Sequence, residues 1–248
     1  MINYMSKLRE IHRELKFTTS KYAPGLNFEV PEQLMIIKHL KEDDIVLELG
    51  GSVGRASCII NYILKEKKNH VVVEPSSIER EFLIKNRDDN NFKYYIEPHV
   101  LSEEPLYSAE WGTFKNEENA QKFSEIKSRQ NRHRVGVEKI ENIHYDDFKK
   151  KYNLNFNVLI IDCEGNFVQI LKSFPQILNN IRLLQIEHDF QPNGVEGLEY
   201  FKKTMIENGF KMTDKFLKGK KYYGTSMPGL RWEDGLRSDP VFVSVWTR

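Results

Sequence analysis

A short apolar run that ends in a glycine-rich turn constrains the fold of this chain more than any other feature. Residues 44–49 read DIVLEL, residues 50–54 read GGSVG, and apolar residues then recur at helical spacing from Ala56 to Leu64. A short apolar run is typical of a buried strand, and a repeat of three to four residues is typical of an amphipathic helix. The segment therefore predicts a strand, a glycine turn and a helix.

The same order of elements recurs along the 248 residues, a length that fits one domain. The predicted strands cover residues 44–49, 71–73, 92–96, 158–161, 182–187, 210–217 and 241–246. The predicted helices cover residues 1–16, 34–40, 56–64, 78–87, 145–151, 167–174 and 198–205. Strands that alternate with helices predict an α/β fold with a parallel sheet.

Two segments lie outside this alternation. Residues 1–30 contain the predicted first helix and a polar stretch with proline and glycine, which together can cover a site as a lid. Residues 102–134 are polar and poorly periodic, and roughly 30 residues is long for a structureless connection in a compact domain. We interpret residues 102–134 as an insertion on the substrate side of the fold.

Composition excludes several classes of protein. Lys and Arg total 37 against 36 for Asp and Glu, so the charge expected of a dedicated nucleic-acid binder is missing. The sequence contains no run of about 18 apolar residues, and its first residues are too charged for a signal peptide. Two cysteines, Cys58 and Cys163, are too few for a disulfide framework. These features predict a cytoplasmic protein without a membrane span or a nucleic-acid partner.

The glycine turn, Glu48-Leu49-Gly50-Gly51-Ser52-Val53-Gly54, is the first candidate binding site. Glycines let a backbone approach a ligand closely, and the next helix presents unpaired N–H groups there. A dinucleotide fingerprint would need glycine at Ser52 and Arg55, and a phosphate loop would need Gly-Lys-Ser/Thr. The pattern suits S-adenosylmethionine, although a plain tight turn can also contain these glycines. The candidate cofactor-binding residues here are Glu48, Gly50, Gly51, Ser52 and Gly54.

An acidic residue at the end of the second predicted strand supports this interpretation. Glu74, followed by Pro75, lies 20 residues after Gly54 (74 minus 54). A carboxylate at this position of a doubly wound sheet can accept hydrogen bonds from ribose hydroxyls. An interaction with the dipole of the next helix is the alternative explanation for Glu74.

A third group of candidates follows the strands predicted at 158–161 and 182–187. The two segments read Asp162-Cys163-Glu164-Gly165 and Glu187-His188-Asp189. Ligands of open α/β sheets bind outside the carboxyl ends of strands, so these side chains are expected to converge on one cleft. We nominate Asp162 and His188 as base candidates, and Asp162 also as a cofactor contact. Glu164 and Glu187 would orient the acceptor or bind a divalent metal, and a metal-free site is the preferred hypothesis.

Four segments, VLELGGSVG, VVVEP, LIIDCEGNFVQIL and LLQIEH, together resemble the FkbM-type methyltransferases over residues 44–210. The resemblance implies a Rossmann-like class I fold, with helices on both faces of a seven-stranded, mostly parallel sheet whose last strand is antiparallel. It also implies S-adenosylmethionine as cofactor and methylation of hydroxyl oxygens of sugars, polyketides or other natural products. The sequence departs from the family pattern at Glu48, where Asp is usual, and at Phe167, where a second acidic residue often occurs.

The leading hypothesis is O-methyl transfer to a hydroxyl group, with a sugar or glycan as the expected acceptor. Aromatic side chains that can line such a site are Tyr22, Tyr107, Trp111 and Tyr145. An NAD-dependent oxidoreductase or epimerase is a second hypothesis, which Ser52 and Arg55 disfavour. A module that binds S-adenosylmethionine without catalysis is the third, and the sequence leaves it open.

Overall fold

A computed structural model describes residues 3–19, 25–109, 112–131, 136–189, 194–217 and 241–248. Twelve strands lie within these residues. The strands in chain order are β1 Val46–Leu49, β2 His70–Val73, β3 Tyr95–Glu97, β4 Val100–Leu101, β5 Leu106–Ala109, β6 Gly112–Phe114, β7 Val137–Ile140, β8 Asn142–Ile143, β9 Val158–Ile161, β10 Leu183–Glu187, β11 Lys211–Leu217 and β12 Val241–Thr247.

Eight α-helices and one 3₁₀ turn accompany these strands in the described ranges. The helices are α1 Tyr4–Glu14, α2 Val30–His39, α3 Arg55–Ile63, α4 Ser77–Asp89, α5 Glu117–Asn131, α6 Tyr145–Tyr152, α7 Phe167–Ser173 and α8 Gly194–Glu207, and the 3₁₀ turn covers Pro175–Leu178. None of these helices has the length and hydropathy of a membrane-spanning segment.

Seven strands form the main sheet, in the spatial order β11-β12-β10-β9-β1-β2-β3. β1 pairs in parallel with both β2 and β9, and β9 pairs in parallel with β10. β12 is antiparallel to both of its neighbours, β10 and β11. The predicted mostly parallel sheet of seven strands with an antiparallel last strand is therefore confirmed. The chain moves outward from β1 to β3 and then returns to β9, which makes the β1–β9 boundary the topological switch point.

Helices cover both faces of the sheet, as predicted. All four residues of β1 are buried, and its three apolar side chains are divided between two apolar clusters. Leu47 and Leu49 belong to the cluster that contains residues of α6, α7 and α8, whereas Val46 belongs to the cluster that contains residues of α1, α2 and α3. Burial on both faces explains why the central strands are continuous apolar runs.

The segment at 102–134 contains more regular structure than the sequence predicted. β5, β6 and β7 form a small antiparallel sheet in the order β6-β5-β7, and α5 contacts all three strands. Ala109 and Ala120 are buried between them, with partly buried aromatic residues around. These strands have three or four residues each and are only partly buried, so they produce little hydrophobic periodicity.

Candidate functional site

A cavity of ≈ 420 Å³, including space open to solvent, lies beside the carboxyl ends of β1, β9 and β10. This is the switch point of the sheet, where α/β proteins of this topology bind ligands. The described residues that line the cavity are Glu29, Glu32, Glu48, Gly50, Gly51, Ser52, Arg55, Ala56, Ile160, Ile161, Asp162, Gln185 and Glu187.

The glycine turn lies very close to the backbone that follows β9. A Cβ atom on Gly50 would lie 1.7 Å from the carbonyl oxygen of Asp162, and the φ angle of Gly50 is +89°. A Cβ on Gly51 would lie 2.3 Å from a methyl group of Val72. Gly54 has a φ of +95° and directly precedes α3. Contacts within the protein therefore explain why glycine is required at these positions. Gly50 and Gly51 also line the cavity.

Glu74 connects the glycine turn to the start of α4. Its carboxylate accepts hydrogen bonds from the backbone N–H of Ser52 at 2.6 Å and from that of Ser76 at 2.8 Å. Arg80 stabilises the connection between β2 and α4 by donating hydrogen bonds to the carbonyl oxygens of Glu74 and Pro75. Burial, and then the charge of Glu79, raises the pKa of Glu74 to about 8. Each carboxylate oxygen has two lone pairs, so Glu74 can accept further hydrogen bonds from a ligand.

Glu48 lines the cavity and also braces the sheet. One carboxylate oxygen accepts a hydrogen bond from Ser57 Oγ at 3.0 Å, and the other lies 2.9 Å from His70 Nε2. Burial raises the pKa of Glu48, and the hydrogen bond with His70 opposes that rise. Both oxygens of the predicted cofactor contact thus already have partners within the protein.

Three of the carboxyl groups that line the cavity come from separate elements and converge on one point. Glu32 of α2, Asp162 after β9 and Glu187 of β10 each place one oxygen within 4.8 Å of the others. Glu187 and Asp162 share a side-chain hydrogen bond. Burial raises the pKa of Asp162 and raises those of Glu32 and Glu187 well above the usual range. Asp162 and Glu187, which the sequence predicted to converge, do lie together here, and Glu32 lies beside them.

Glu32 differs from its neighbour in the same helix turn. Glu32 is 6% exposed, and neither carboxylate oxygen has a hydrogen-bond partner among the described residues. The side-chain amide of Gln33, which is also buried, donates hydrogen bonds to the carbonyl oxygens of Leu26 and Phe28. The Oε1 atom of Gln33 lies 2.7 Å from Nε2 of His12. Such unpartnered buried carboxylates are rare in folded proteins, so Glu32 requires an explanation beyond packing.

Arg55 is the one cation among the described residues that line the cavity. Its guanidinium lies 3.4 Å from the Glu29 carboxylate and 5.4 Å from the centre of the Phe28 ring. Burial and the charge of Asp162 raise the pKa of Glu29 to about 7, although Arg55 opposes that rise. The cavity contains four further carboxyl groups, and each of them favours a positively charged ligand in its ionised form.

His188, the other base candidate, lies at a different place. It is 2% exposed and is not among the described residues that line the cavity. Its Nε2 lies 2.7 Å from Ser244 Oγ of β12, which also accepts a hydrogen bond from Trp246 Nε1. Glu164 lies in the turn before α7 with a φ of +52°, and burial together with the charges of Asp189 and Asp162 raises its pKa to about 9.

The structure describes two of the four aromatic residues predicted to line the acceptor site, namely Tyr107 and Tyr145. Tyr145 is 5% exposed, and its ring lies 6.3 Å from those of Phe148 and Phe174, so it is a core residue with little surface for a ligand. Tyr107 is half-buried in β5 of the small sheet. Tyr22 and Trp111 lie outside the described residues.

The sequence analysis missed Glu29, Glu32, Arg55 and Gln185. A signal for Glu32 was present, because residues 30–37 read VPEQLMII and place a carboxylate within an otherwise apolar helix. Gln185 precedes Glu187 by two residues in β10, so the two side chains share a face of the sheet.

The chain has the fold of the class I S-adenosylmethionine-dependent methyltransferases. A candidate O-methyltransferase from Klebsiella pneumoniae aligns with a TM-score of 0.50 and 10% identity over 100% of this chain and 91% of that chain. A candidate S-adenosylmethionine-dependent methyltransferase from Streptococcus mutans aligns with a TM-score of 0.51 and 9% identity over 91% of this chain and 50% of that chain.

A candidate RNA methyltransferase from Pyrococcus horikoshii aligns with a TM-score of 0.49 and 12% identity, over 100% of this chain and 97% of that chain. No protein-family model matches the sequence, and no curated protein matches it. At identities this low, the shared property is the fold, and membership of the FkbM-type subclass stays a prediction.

Proposed function

We propose that the protein is an S-adenosylmethionine-dependent O-methyltransferase of the FkbM type, with a hydroxyl group of a sugar or glycan as the acceptor. The observation that carries the proposal is the carboxyl-rich cavity at the switch point of a methyltransferase fold, next to the glycine turn. A parallel sheet of this kind binds nucleotide-like ligands at this edge.

The chemistry of the cavity fits S-adenosylmethionine. The cofactor has a sulfonium and an ammonium group, and a cavity lined by five carboxyl groups and one guanidinium suits a ligand with positive charge. Glu74 would accept hydrogen bonds from the ribose hydroxyls, since Ser52 and Ser76 already fix the position of its carboxylate. When bound, the cofactor supplies a methyl group as an electrophile.

The residues of the chain would contribute mainly by positioning. Alignment of two reactants can supply roughly 7 to 11 kcal/mol, whereas a general base supplies a factor of about 10² to 10⁴. We infer that Asp162 accepts the proton of the acceptor hydroxyl, because it lines the cavity and Glu187 fixes its orientation. His188 is the weaker base candidate, since its Nε2 already contacts Ser244.

The small sheet of β5, β6 and β7 is the proposed wall for the acceptor. Tyr107 belongs to this sheet, and the wall would include Trp111 and Tyr22. Insertions on a rigid scaffold commonly determine specificity.

Isothermal titration calorimetry with S-adenosylhomocysteine and with NAD tests the cofactor assignment. S-Adenosylhomocysteine is expected to bind and NAD is not, because Ser52 and Arg55 replace glycines of the dinucleotide fingerprint. Binding of NAD without binding of S-adenosylhomocysteine would contradict this assignment and favour the NAD-dependent oxidoreductase hypothesis.

Transfer of a labelled methyl group from S-adenosylmethionine to a panel of acceptors tests the reaction. The panel contains hydroxylated sugars, glycans and a structured RNA. Labelled sugar or glycan is the expected product, and labelled RNA alone would overturn the acceptor class. Cofactor binding without transfer to any acceptor would favour the non-catalytic binding module.

A further inference from the structure

We propose that Glu32, Asp162 and Glu187 form a binding site for one hard divalent cation, such as Mg²⁺ or Mn²⁺. The three residues come from α2, the end of β9 and the end of β10, and their oxygens converge at the edge of the cavity. The role given to the cation below rests on the proposed function, whereas its binding does not.

The donor set fits a hard cation in number and type. One oxygen from each carboxyl group lies within 4.8 Å of the other two. Mg²⁺ binds oxygens at about 2.0–2.1 Å and Ca²⁺ at about 2.3–2.6 Å, so two ligands on opposite sides of one ion are about 4 to 5 Å apart. All three donors are oxygens, without the imidazole or thiolate that softer metals prefer.

Glu32 provides an observation independent of this convergence. It is 6% exposed, and both of its oxygens lack a hydrogen-bond partner among the described residues. A buried carboxyl group without partners is costly, and a cation that binds it removes the cost.

Two other fully buried carboxyl groups, those of Glu97 and Asp44, have partners within the described part of the protein. Glu97 is 0% exposed and contacts His99, Lys151 and Tyr152 through its two oxygens. Asp44 is similarly buried and pairs with Arg182. The lack of partners at both oxygens of Glu32 therefore contrasts with the pairing of these two buried carboxyl groups.

Rigid elements fix Glu32 in place. Gln185 of β10 donates a hydrogen bond from Nε2 to the carbonyl oxygen of Glu32 at 3.2 Å. The following residues of α2 from Leu34 to Ile37 are buried in the core against α3 and the sheet. A carboxylate held by packed elements provides the preorganisation that metal binding needs.

The nearby cation does not replace a metal. Arg55 lies 3.4 Å from Glu29, on which its charge acts directly. The charge of Arg55 also lowers the pKa of Glu32 and that of Asp162, but burial outweighs this effect and both pKa values stay raised.

A bound cation would coordinate the hydroxyl oxygen of the acceptor and lower its pKa. The hydroxyl proton moves to the oxygen of Asp162 that does not bind the cation. The acceptor oxygen forms a bond to the methyl carbon, and the bond from that carbon to sulfur breaks with its electron pair remaining on sulfur. The products are a methyl ether and neutral S-adenosylhomocysteine.

Electron paramagnetic resonance of Mn²⁺ titrated into the full chain, after removal of metals with a chelator, tests the site. The wild type is expected to bind one Mn²⁺ per chain, and excess Mg²⁺ is expected to displace it. Glu32→Gln should weaken Mn²⁺ binding at least tenfold, whereas Glu42→Gln, a change at an exposed glutamate outside the cavity, should leave it unchanged. A wild type that binds no Mn²⁺, or equal binding by Glu32→Gln, overturns the proposal.

Thermal unfolding separates a metal ligand from a structural residue. Without metal, Glu32→Gln should be at least as stable as the wild type, because the change removes an ionisable group that lacks partners. Mn²⁺ should raise the melting temperature of the wild type and not that of Glu32→Gln. A variant that is less stable in chelator and is still stabilised by Mn²⁺ contradicts the assignment, and if the variant does not fold, the wild-type titration decides alone.

Binding of S-adenosylhomocysteine in the presence of chelator keeps the two proposals separate. If S-adenosylhomocysteine binds and Mn²⁺ does not, the metal site is wrong and the proposed function stands. If Mn²⁺ binds at these residues and S-adenosylhomocysteine does not, the metal site stands and the proposed function is wrong.

Discussion

Replacement of Gly50 tests the close approach of β1 and β9 on which the cavity depends. In Gly50→Ala, the added Cβ would lie 1.7 Å from the carbonyl oxygen of Asp162, and that atom belongs to the backbone directly after the neighbouring strand, β9. The strands must separate by more than 1 Å, which threatens the hydrogen bond from Asp162 N to Leu49 O at 2.9 Å. The φ angle of +89° adds a second cost.

The magnitude follows from these three effects. The left-handed φ costs about 1–2 kcal/mol, overpacking about 1–3 kcal/mol and the lost hydrogen bond about 0.5–1.5 kcal/mol. Gly50→Ala should therefore lower the free energy of unfolding by roughly 3 to 6 kcal/mol, a large part of the roughly 5–15 kcal/mol typical of a domain.

Gly209→Ala is the matched control for the backbone angle. Gly209 has a φ of +80°, and nothing lies within 4 Å of the position of an added Cβ. The control should lose only the cost of the angle, about 1–2 kcal/mol. Urea unfolding followed by circular dichroism at constant pH measures both variants. Equal losses in the two variants would refute the close approach of β1 and β9.

Four further predictions concern the site. Glu74→Gln should weaken binding of S-adenosylhomocysteine by about 1–3 kcal/mol in calorimetry, and Glu81→Gln, at an exposed position of the next helix, α4, should not; equal affinities would leave Glu74 a purely structural role. The pKa of Glu74 is raised from 4.5 to about 8 in the folded protein. The free energy of unfolding that protonated Glu74 contributes should therefore be fully present below pH 4.5 and be lost as the pH rises to about 8. Urea unfolding of wild type and Glu74→Gln over this window measures that loss, and parallel profiles contradict it. Asp162→Asn should lower the single-turnover rate of methyl transfer by about 10² to 10⁴ with cofactor affinity retained, whereas His188→Gln should affect melting temperature more than rate; a wild-type rate in Asp162→Asn removes it as the base. Trp111→Ala should change acceptor use and leave binding of S-adenosylhomocysteine unchanged, and an equal loss of both contradicts the wall assignment.

The main sheet was predictable because its strands are buried on both faces. The strand predicted at residues 158–161 has the observed bounds, Val158–Ile161, and the other predicted strands of the main sheet differ from the observed bounds by a few residues at most. A run of apolar residues between polar turns is sufficient to locate such a strand. The short strands of the small sheet pack mainly on α5 and on each other, so their sequence lacks that signal.

Part of the candidate site was predictable for a topological reason. Asp162 follows β9 and Glu187 ends β10, its neighbour in the sheet, and the carboxyl ends of parallel neighbours meet at one edge. Glu32 reaches the same edge from α2, whose position depends on packing against α3 and β12. That packing is a property of the folded chain, and no rule of sequence spacing places α2 over this edge. His188 directly follows Glu187, the last residue of β10, but alternation along a strand directs successive side chains to opposite faces.

The arrangement around Glu32 also implies an opposition between stability and function. The main sheet buries apolar residues on both faces, and this packing supports a cavity whose carboxyl groups have pKa values shifted upward by burial. Burial of those groups opposes folding until a cation or a proton neutralises them. Neutral substitutions at Glu32, whose oxygens lack partners among the described residues, should therefore stabilise the free protein while they weaken its binding of a divalent cation. A residue that merely supported the fold would show losses of both properties together, so the sign of the stability change distinguishes a binding residue from a structural one at this position.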